Sequence, residues 1–455
     1  MGIRRQGGQA LIYGLFVLVG GLTALFFLFN TSQLTAEKAK LVNTADAVAY
    51  SAGVMHARAL NFDAYTNRAL MANEVMIAQA VSIASWTKHV VPHTENVLPL
   101  MCQTYYSKPV ALALVTYIPV CYLLSFPGEN AYARQIDERV RKAAQETVGL
   151  SEAAKQALQG AQSTMAGALI AARMVVMQQV ADANYIGDGA VHVDTIPITD
   201  NFFNFSDPYS GADRSRFKAA TVEAANKDNF IKKRSWTSAN YLPCILGNKA
   251  EFRRRGATEL IGFDEWKAMD TASLHEWTWH MHGLFRLPTC GESETELGYG
   301  AQAAANGTPD DSAAQYGNSR GDNSGASARA DTEAAGSNLG YSGLPTFHDL
   351  SAAQLAEQSP RIRFSIRITR EKGQAKTSDG TSAIKPTDKL AIYDNKAKSD
   401  VLAAVSTSEV FFERPEARGD GKTESASLFN PYWQVRLVPT SSADVAQALA
   451  LGGAR

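Results

Sequence analysis

ALIYGLFVLVGGLTALFFLF occupies residues 10–29, twenty positions without a charge. At about 1.5 Å per residue, a helix of that length spans the roughly 30 Å of hydrocarbon in a bilayer. Ala10, Leu11, Phe16, Val19, Leu25 and Phe29 are read as its anchor positions. Arg4 and Arg5 precede the run and no acid occurs among the first nine residues. The positive-inside rule therefore leaves residues 1–30 as a cytoplasmic tip plus a single-pass anchor, and sends the rest of the chain across the membrane. A cleaved secretory signal is the competing reading. Such signals usually carry an apolar core of about 7–15 residues and a small-residue cleavage site directly after it, and this run is longer and lacks the site.

Beyond the anchor, nothing in the covalent chemistry stops the helix. The first proline is Pro92, and between residues 31 and 91 the only glycine is Gly53. Leu34, Leu41, Val48, Met55, Phe62, Ala69, Met76 and Ile83 recur every seven residues, with Ala45, Ala52, Ala59 and Ala80 four positions after some of them. That pattern predicts a coiled-coil-like assembly seam on a long stalk helix, bent near Gly53 and packed on a partner helix. Residues 131–184 form a second Ala-rich, proline-free stretch. An internal partner would make residues 31–185 an antiparallel hairpin; the same seam suits an external protein or a second copy. Between the two stretches, PVALALVTYIPVCYLLSFP at 109–127 is again uncharged. It is short of about 20 residues and carries Pro119 in its middle, so an apolar turn is expected, with a second membrane span as the alternative.

At 455 residues the chain is about three times a usual domain of roughly 150. Its 45% hydrophobic and 20% charged content excludes wholesale disorder, collagen and a many-span transporter. Lys+Arg at 44 against Asp+Glu at 45 leaves no overall electrostatic footprint for nucleic acid. Four cysteines, Cys102, Cys121, Cys244 and Cys290, are an even number on the outer side. Proximity favours Cys102–Cys121 and Cys244–Cys290 among three connectivities; four unpaired thiols are the alternative.

After residue 185 the pattern becomes β-like, predicting a distal α+β domain over 186–455. RIRFSIRIT at 361–369 alternates Ile362, Phe364, Ile366 and Ile368 with Arg361, Arg363, Ser365 and Arg367, the period of a half-buried strand. Residues 191–198, 401–412 and 432–438 are further strand candidates. The face carrying Arg361, Arg363 and Arg367 suits either an anion or plain solvent. Residues 291–343 are mostly Gly, Ala, Ser, Asn and Asp, which predicts a mobile loop.

Motifs for chemistry are weak. Gly317-Asn318-Ser319-Arg320-Gly321 fits the nucleophile-elbow formula without its flanking strand and helix, and the overlapping Arg320-Gly321-Asp322 is equally slight. In His275-Glu276-Trp277-Thr278-Trp279-His280 the histidines are five apart, not the four that place two ligands on one helix face. His280 and His282 would share a strand face but supply only two ligands, and His89 and His93 straddle Pro92. These observations predict no catalytic residue, no metal and no cofactor. A tethered hydrolase using His280 and His282 is the enzymatic alternative.

The flanks of the anchor carry a family resemblance. Arg5-Gln6-Gly7-Gly8-Gln9-Ala10-Leu11, then the apolar run, then Leu41-Val42-Asn43-Thr44-Ala45-Asp46-Ala47-Val48-Ala49 resemble the N-terminal region of TadE/TadG-like proteins of tight-adherence (Flp) pilus assembly. The resemblance covers about the first 55 residues. It implies a bacterial inner-membrane protein with a periplasmic bulk, a non-enzymatic structural role in pilus assembly or an allied secretion system, and partners among envelope proteins. Prepilin-type processing after Gly8 would place Glu five residues on, where this chain has Tyr13. No D-x-S-x-S adhesion motif of the TadG von Willebrand type is present. The alternative is a membrane-tethered periplasmic binding module with the helices as spacer.

Overall fold

In the computed structural model the described residues are 9–103, 129–196, 200–238, 249–282, 287–305, 319–334, 337–371, 374–375 and 401–453. The main elements in chain order are α1 (Gln9–Gln103), α2 (Glu129–Asn184), β1 (His192–Thr195), α3 (Ser215–Ala225), β2 (Trp236–Thr237), β3 (Lys249–Ile261), β4 (Glu265–His282), β5 (Leu287–Ala303), α4 (Ser324–Ala334), β6 (Arg361–Glu371), β7 (Val401–Phe412), β8 (Trp433–Val438) and α5 (Ser442–Gly453). The class is α+β, with a long apolar N-terminal helix and the strands after it.

The chain divides into two units. Unit one comprises Met1–Tyr65, Gln162–Asp207 and His348–Arg455; unit two comprises Thr66–Ala161 and Pro208–Phe347. Each long helix contributes to both, so residues 31–185 do not form a stalk set apart from a distal domain. The apolar turn expected at 109–127 lies outside the described residues.

Unit one is built on an antiparallel sheet in the order β1-β6-β7-β8. The period-two alternation of β6 is its organising feature. Ile362, Phe364, Ile366 and Ile368 are at most 1% exposed, and the latter three join Leu402 and Ala404 of β7 against Leu34, Leu41, Ala45, Val48, Ala49 and Ala52 of α1 and Met177 and Ala181 of α2. Burying each large side chain contributes about 1.5–3 kcal/mol. A second cluster joins Ala57 and Leu60 to Phe205, Ile362, Val410, Leu428 and Trp433.

Gly53 is a contact point, not a bend. A Cβ built there would overlap Val435 Cγ2 and come within 3.0 Å of the Ser408 hydroxyl, so only glycine lets α1 lie this close to β7 and β8.

The predicted seam splits. Leu34, Leu41 and Val48 are buried, at 6%, 1% and 0% exposure, but in the unit-one core against a sheet. Met55 is half-buried, while Phe62, Met76 and Ile83 are exposed. The reason is angular: a straight α-helix drifts about 20° per heptad from a strict seven-residue repeat, which accumulates to about 140° over the seven heptads. The buried positions instead follow spacings of three, four and seven, with Leu70, Ile77, Val81 and Ala84 taking over in unit two.

Unit two holds a second antiparallel sheet, β2-β3-β4-β5. Part of the segment expected to be a mobile loop at 291–343 belongs to it: residues up to Ala303 complete β5, and Ser324–Ala334 are α4. The glycines have a packing reason. A Cβ on Gly298 would meet the His89 ring at 2.8 Å, and one on Gly300 would meet the Ser85 carbonyl at 2.7 Å, so β5 stays bare where α1 presses on it. Glu294 caps α4 by accepting from the Gly325 and Ala326 amides at 2.9 and 3.2 Å.

Gly53→Leu is expected to cost about 3 kcal/mol or more through overpacking. Gly149→Ala in α2, where nothing lies within 4 Å of the built Cβ, should gain up to about 1 kcal/mol. Denaturant unfolding of the detergent-solubilised chain separates the two.

Candidate functional site: the apolar anchor and the helix that follows it

Every residue from 10 to 29 is exposed, Leu11 at 79% and Phe16 at 71%, and burial begins abruptly at Asn30, 3% exposed. The most apolar 18-residue window of α1 has a mean hydropathy of 2.4 with none of it buried. So long an apolar run without protein contacts calls for lipid. α2 also contains a long apolar window, of mean hydropathy 1.3, but its Met177 and Ala181 sit in the unit-one core.

The first turns past the anchor are fixed by charge. Arg370, 2% exposed, donates to Glu37 and to the Asp188 carbonyl, and Lys40 pairs with the Asp188 carboxylate. Both cations lie over the Tyr185 ring, at 4.6 and 4.3 Å. Burial, with the Glu37 charge beside it, pushes the Tyr185 hydroxyl up to about 12.

One turn further, Asp46 accepts from the Ser406 hydroxyl at 2.6 Å, tying the acidic residue of the LVNTADAVA stretch to β7. His56 packs on Phe202 at 4.6 Å. Burial and the Arg173 charge hold its pKa down at about 3. The ring is therefore neutral, and its Nε2 accepts from Arg173 at 2.8 Å while Arg173 also binds Asp200. The Asn61 amide both donates to the Trp433 carbonyl and accepts from its N–H, each at 3.0 Å, standing in for a neighbouring strand at the sheet edge. No spacing rule in the sequence marks Asp46, Asn61, Arg173 or Arg370, because their partners are hundreds of residues away or on another element.

Unit two contains a buried ion pair. Lys155 Nζ lies 2.6 Å from Glu74 Oε1, with both side chains at most 2% exposed. Glu74 also accepts from the Trp266 indole at 2.9 Å and the Tyr341 hydroxyl at 2.8 Å. Lys155 donates further to Glu152 at 2.7 Å and to the Gly343 carbonyl at 2.8 Å. Burial pushes the Glu74 carboxyl up while Lys155 and these donors pull it back. The set is satisfied from within, as a structural pair must be.

The motifs resolve individually. Ser319 begins the short helix Ser319–Asp322, and residues 317–318 lie outside the description. Asp322 is held by Arg255 at 2.6 Å. The 275–280 segment is part of β4 and not of a helix. His275 is spent on Glu292 at 2.9 Å and Asn323 at 3.0 Å, and the side chains of His280 and His282 are outside the description. Among the described residues no group of three or more His, Cys, Asp or Glu is arranged to hold a metal. α1 continues through Pro92, so His89 and His93 do share a face, stacked at 5.3 Å. The side chains of Cys102, Cys121 and Cys244 lie outside the description, so neither expected pairing is assigned.

The segment singled out by this geometry is also the one with known relatives. Residues 8–59 match the model of the Flp pilus-assembly TadE/G-like family, an interval that takes in the exposed anchor, Asp46 and Gly53. The match and the anchor together support a membrane-associated protein with a pilus-related role. No curated protein and no solved structure matches the chain.

Lys155→Met, which leaves the buried Glu74 carboxyl without its cation, is expected to cost about 3–5 kcal/mol in urea unfolding. The His93 pKa is lowered from 6.5 to about 4 by burial and the Arg254 charge. A base depressed on folding contributes its full stability above 6.5 and loses it as pH falls toward 4, by about 3 kcal/mol. His93→Gln should flatten the urea midpoint between pH 7 and 4.5 by about that amount relative to wild type.

Proposed function

We propose that this chain is a membrane-anchored, non-enzymatic structural protein of a Tad/Flp-type pilus assembly or an allied envelope secretion system. It resides in the bacterial inner membrane by a single pass, with its N-terminus cytoplasmic and its bulk periplasmic. The observation that carries this reading is the coincidence of intervals: residues 8–59 match the family, and within them an unpacked apolar run gives way at Asn30 to a helix built into a folded core. A segment made this way couples a membrane to a folded body, which suits an assembly protein. The polar constellations support a non-enzymatic role, because His275, Asp322 and Glu74 are each committed to internal partners.

Partners are other envelope proteins or a second copy, reached through helix packing. Of the predicted seam, Met76 and Ile83 in unit two are exposed and available to a partner. A cavity in unit two favours a second reading, a membrane-tethered binding module; it has a volume of about 460 Å³ and is lined by Lys218, Lys232, Lys233, Glu259 and Trp266 among others.

Met76→Asp and Ile83→Asp should abolish co-purification of envelope partners from native membranes at an unchanged melting temperature. Val48→Asp, at a position 0% exposed, should instead unfold unit one. Undiminished complexes with both surface variants would remove the helix-packing reading. Phosphatase activity of a fusion at residue 453, absent when residues 1–30 are deleted, checks the topology.

A further inference from the structure

The outward face of the unit-one sheet carries Arg361 and Arg363 on β6, Glu409 on β7 and Arg436 on β8. The strand register sets Glu409 opposite Arg363 on one side and Arg436 on the other. Its side chain is 2% exposed. Glu409 Oε1 accepts from Arg361 Nη1 at 3.0 Å and from Arg436 Nε and Nη2 at 3.1 and 2.6 Å, and Oε2 accepts from Arg363 Nε at 3.2 Å. The three arginine side chains are themselves 46%, 50% and 47% exposed.

One buried carboxylate thus orients three half-exposed guanidiniums. Burial alone would raise the Glu409 carboxyl, but the donors from Arg436 and Arg363 and the charges of Arg361 and Arg436 hold it below its ordinary value. With three positive charges on one negative, the cluster keeps a surplus of two. Stability does not explain such a set, since partly exposed ion pairs contribute little and like charges repel. A set of forks held at fixed angles, with Arg361 Nη2, both Nη of Arg363 and Arg436 Nη1 unspent on Glu409, is instead what carboxylate recognition requires.

Beside the cluster opens a cavity of about 290 Å³, walled by Arg361, Arg436, Ser359, Phe411 and Phe412. The Arg436 guanidinium lies 4.6 Å from the Phe411 ring centroid. Glu424 also lines the cavity, but its charge is taken up by Arg414 at 2.6 Å and Arg418 at 3.2 Å, while Glu413 adds an acid at the edge. The volume sits at the bottom of the roughly 300–1,000 Å³ range of ligand pockets, enough for one side chain or a chain terminus and too small for a nucleotide. Phe411, on the same strand face as Glu409, offers an apolar contact beside the anionic group.

We propose that this face binds a carboxylate-bearing polypeptide segment. Arg361 and Arg436 pair with the carboxylate, Phe411 receives the adjoining apolar side chain, and Glu409 acts as a positioning residue. The site is independent of the anchor and of the pilus-related reading, so its failure leaves both intact.

The test uses the full chain in phosphatidylcholine nanodiscs. The probe is a fluorescein-labelled Gly-Phe-Asp-Phe-Asp amide, read by fluorescence anisotropy, with the Asn-for-Asp peptide as its neutral twin. Arg361→Gln and Arg436→Gln should each weaken binding of the acidic peptide at least about tenfold at an unchanged melting temperature. The neutral twin should bind no better than these variants. Arg436→Lys, which keeps the charge and loses the fork, should also weaken binding, by a smaller factor. Glu409→Gln adds a positive charge, yet affinity should fall because the forks lose their anchor. Equal binding of the neutral twin, unchanged affinity in both arginine variants, or tighter binding by Glu409→Gln would overturn the proposal. Displacement of the peptide by inorganic phosphate at comparable concentration would overturn the polypeptide source in favour of a free anion.

Discussion

A single unbroken helix has to satisfy two different surroundings. Over residues 10–29 α1 has no protein around it, and from Asn30 onward it must lie in a protein core. Lipid asks only for apolar bulk, so the first stretch is rich in Leu, Phe and Val. The core asks for close approach of helix backbone to sheet, so the second stretch narrows to Ala45, Ala49, Ala52 and Gly53. The rest of unit one follows from that narrowing. β6 and β7 can press their apolar faces on α1 only because there is so little side chain in the way, and Asp46 and Asn61 can reach β7 and β8 because the gap is small.

What was legible in the sequence divides along the same line. The β6 strand could be read because one of its faces is apolar and the other polar along its first residues, which writes a period of two. The apolar helix at 10–29 could be read because the run is twenty positions long and carries no charge. Past Val48 a seven-residue count and the turn of an α-helix part company, which brings Phe62, Met76 and Ile83 outward. The segment after residue 291 was misread for a subtler reason. A strand on which a helix backbone rests must shed its side chains, and Gly298 and Gly300 do so. In composition alone that demand is indistinguishable from a flexible tract.

The polar interior shows why short motifs misled. Sequence patterns for metal sites and nucleophiles count local spacing. The polar groups that are organised here draw partners from distant elements: Glu74 with Lys155, Trp266 and Tyr341, and Glu409 with arginines from both adjacent strands. Only the exposed arginines of β6 left a trace in the sequence. Their shared carboxylate on β7 became visible once the register was known.

The junction between lipid and core carries a mechanical implication. Leu34 is already in the core five residues past Phe29, about 8 Å of helical rise, with neither glycine nor proline between them. No joint is available to absorb torque or tilt over that interval. A rotation of residues 10–29 about the helix axis, or a lean, passes undamped into the first turn that β6 and β7 grip. The sheet of unit one is thereby coupled rigidly to the orientation of the apolar run that precedes Asn30.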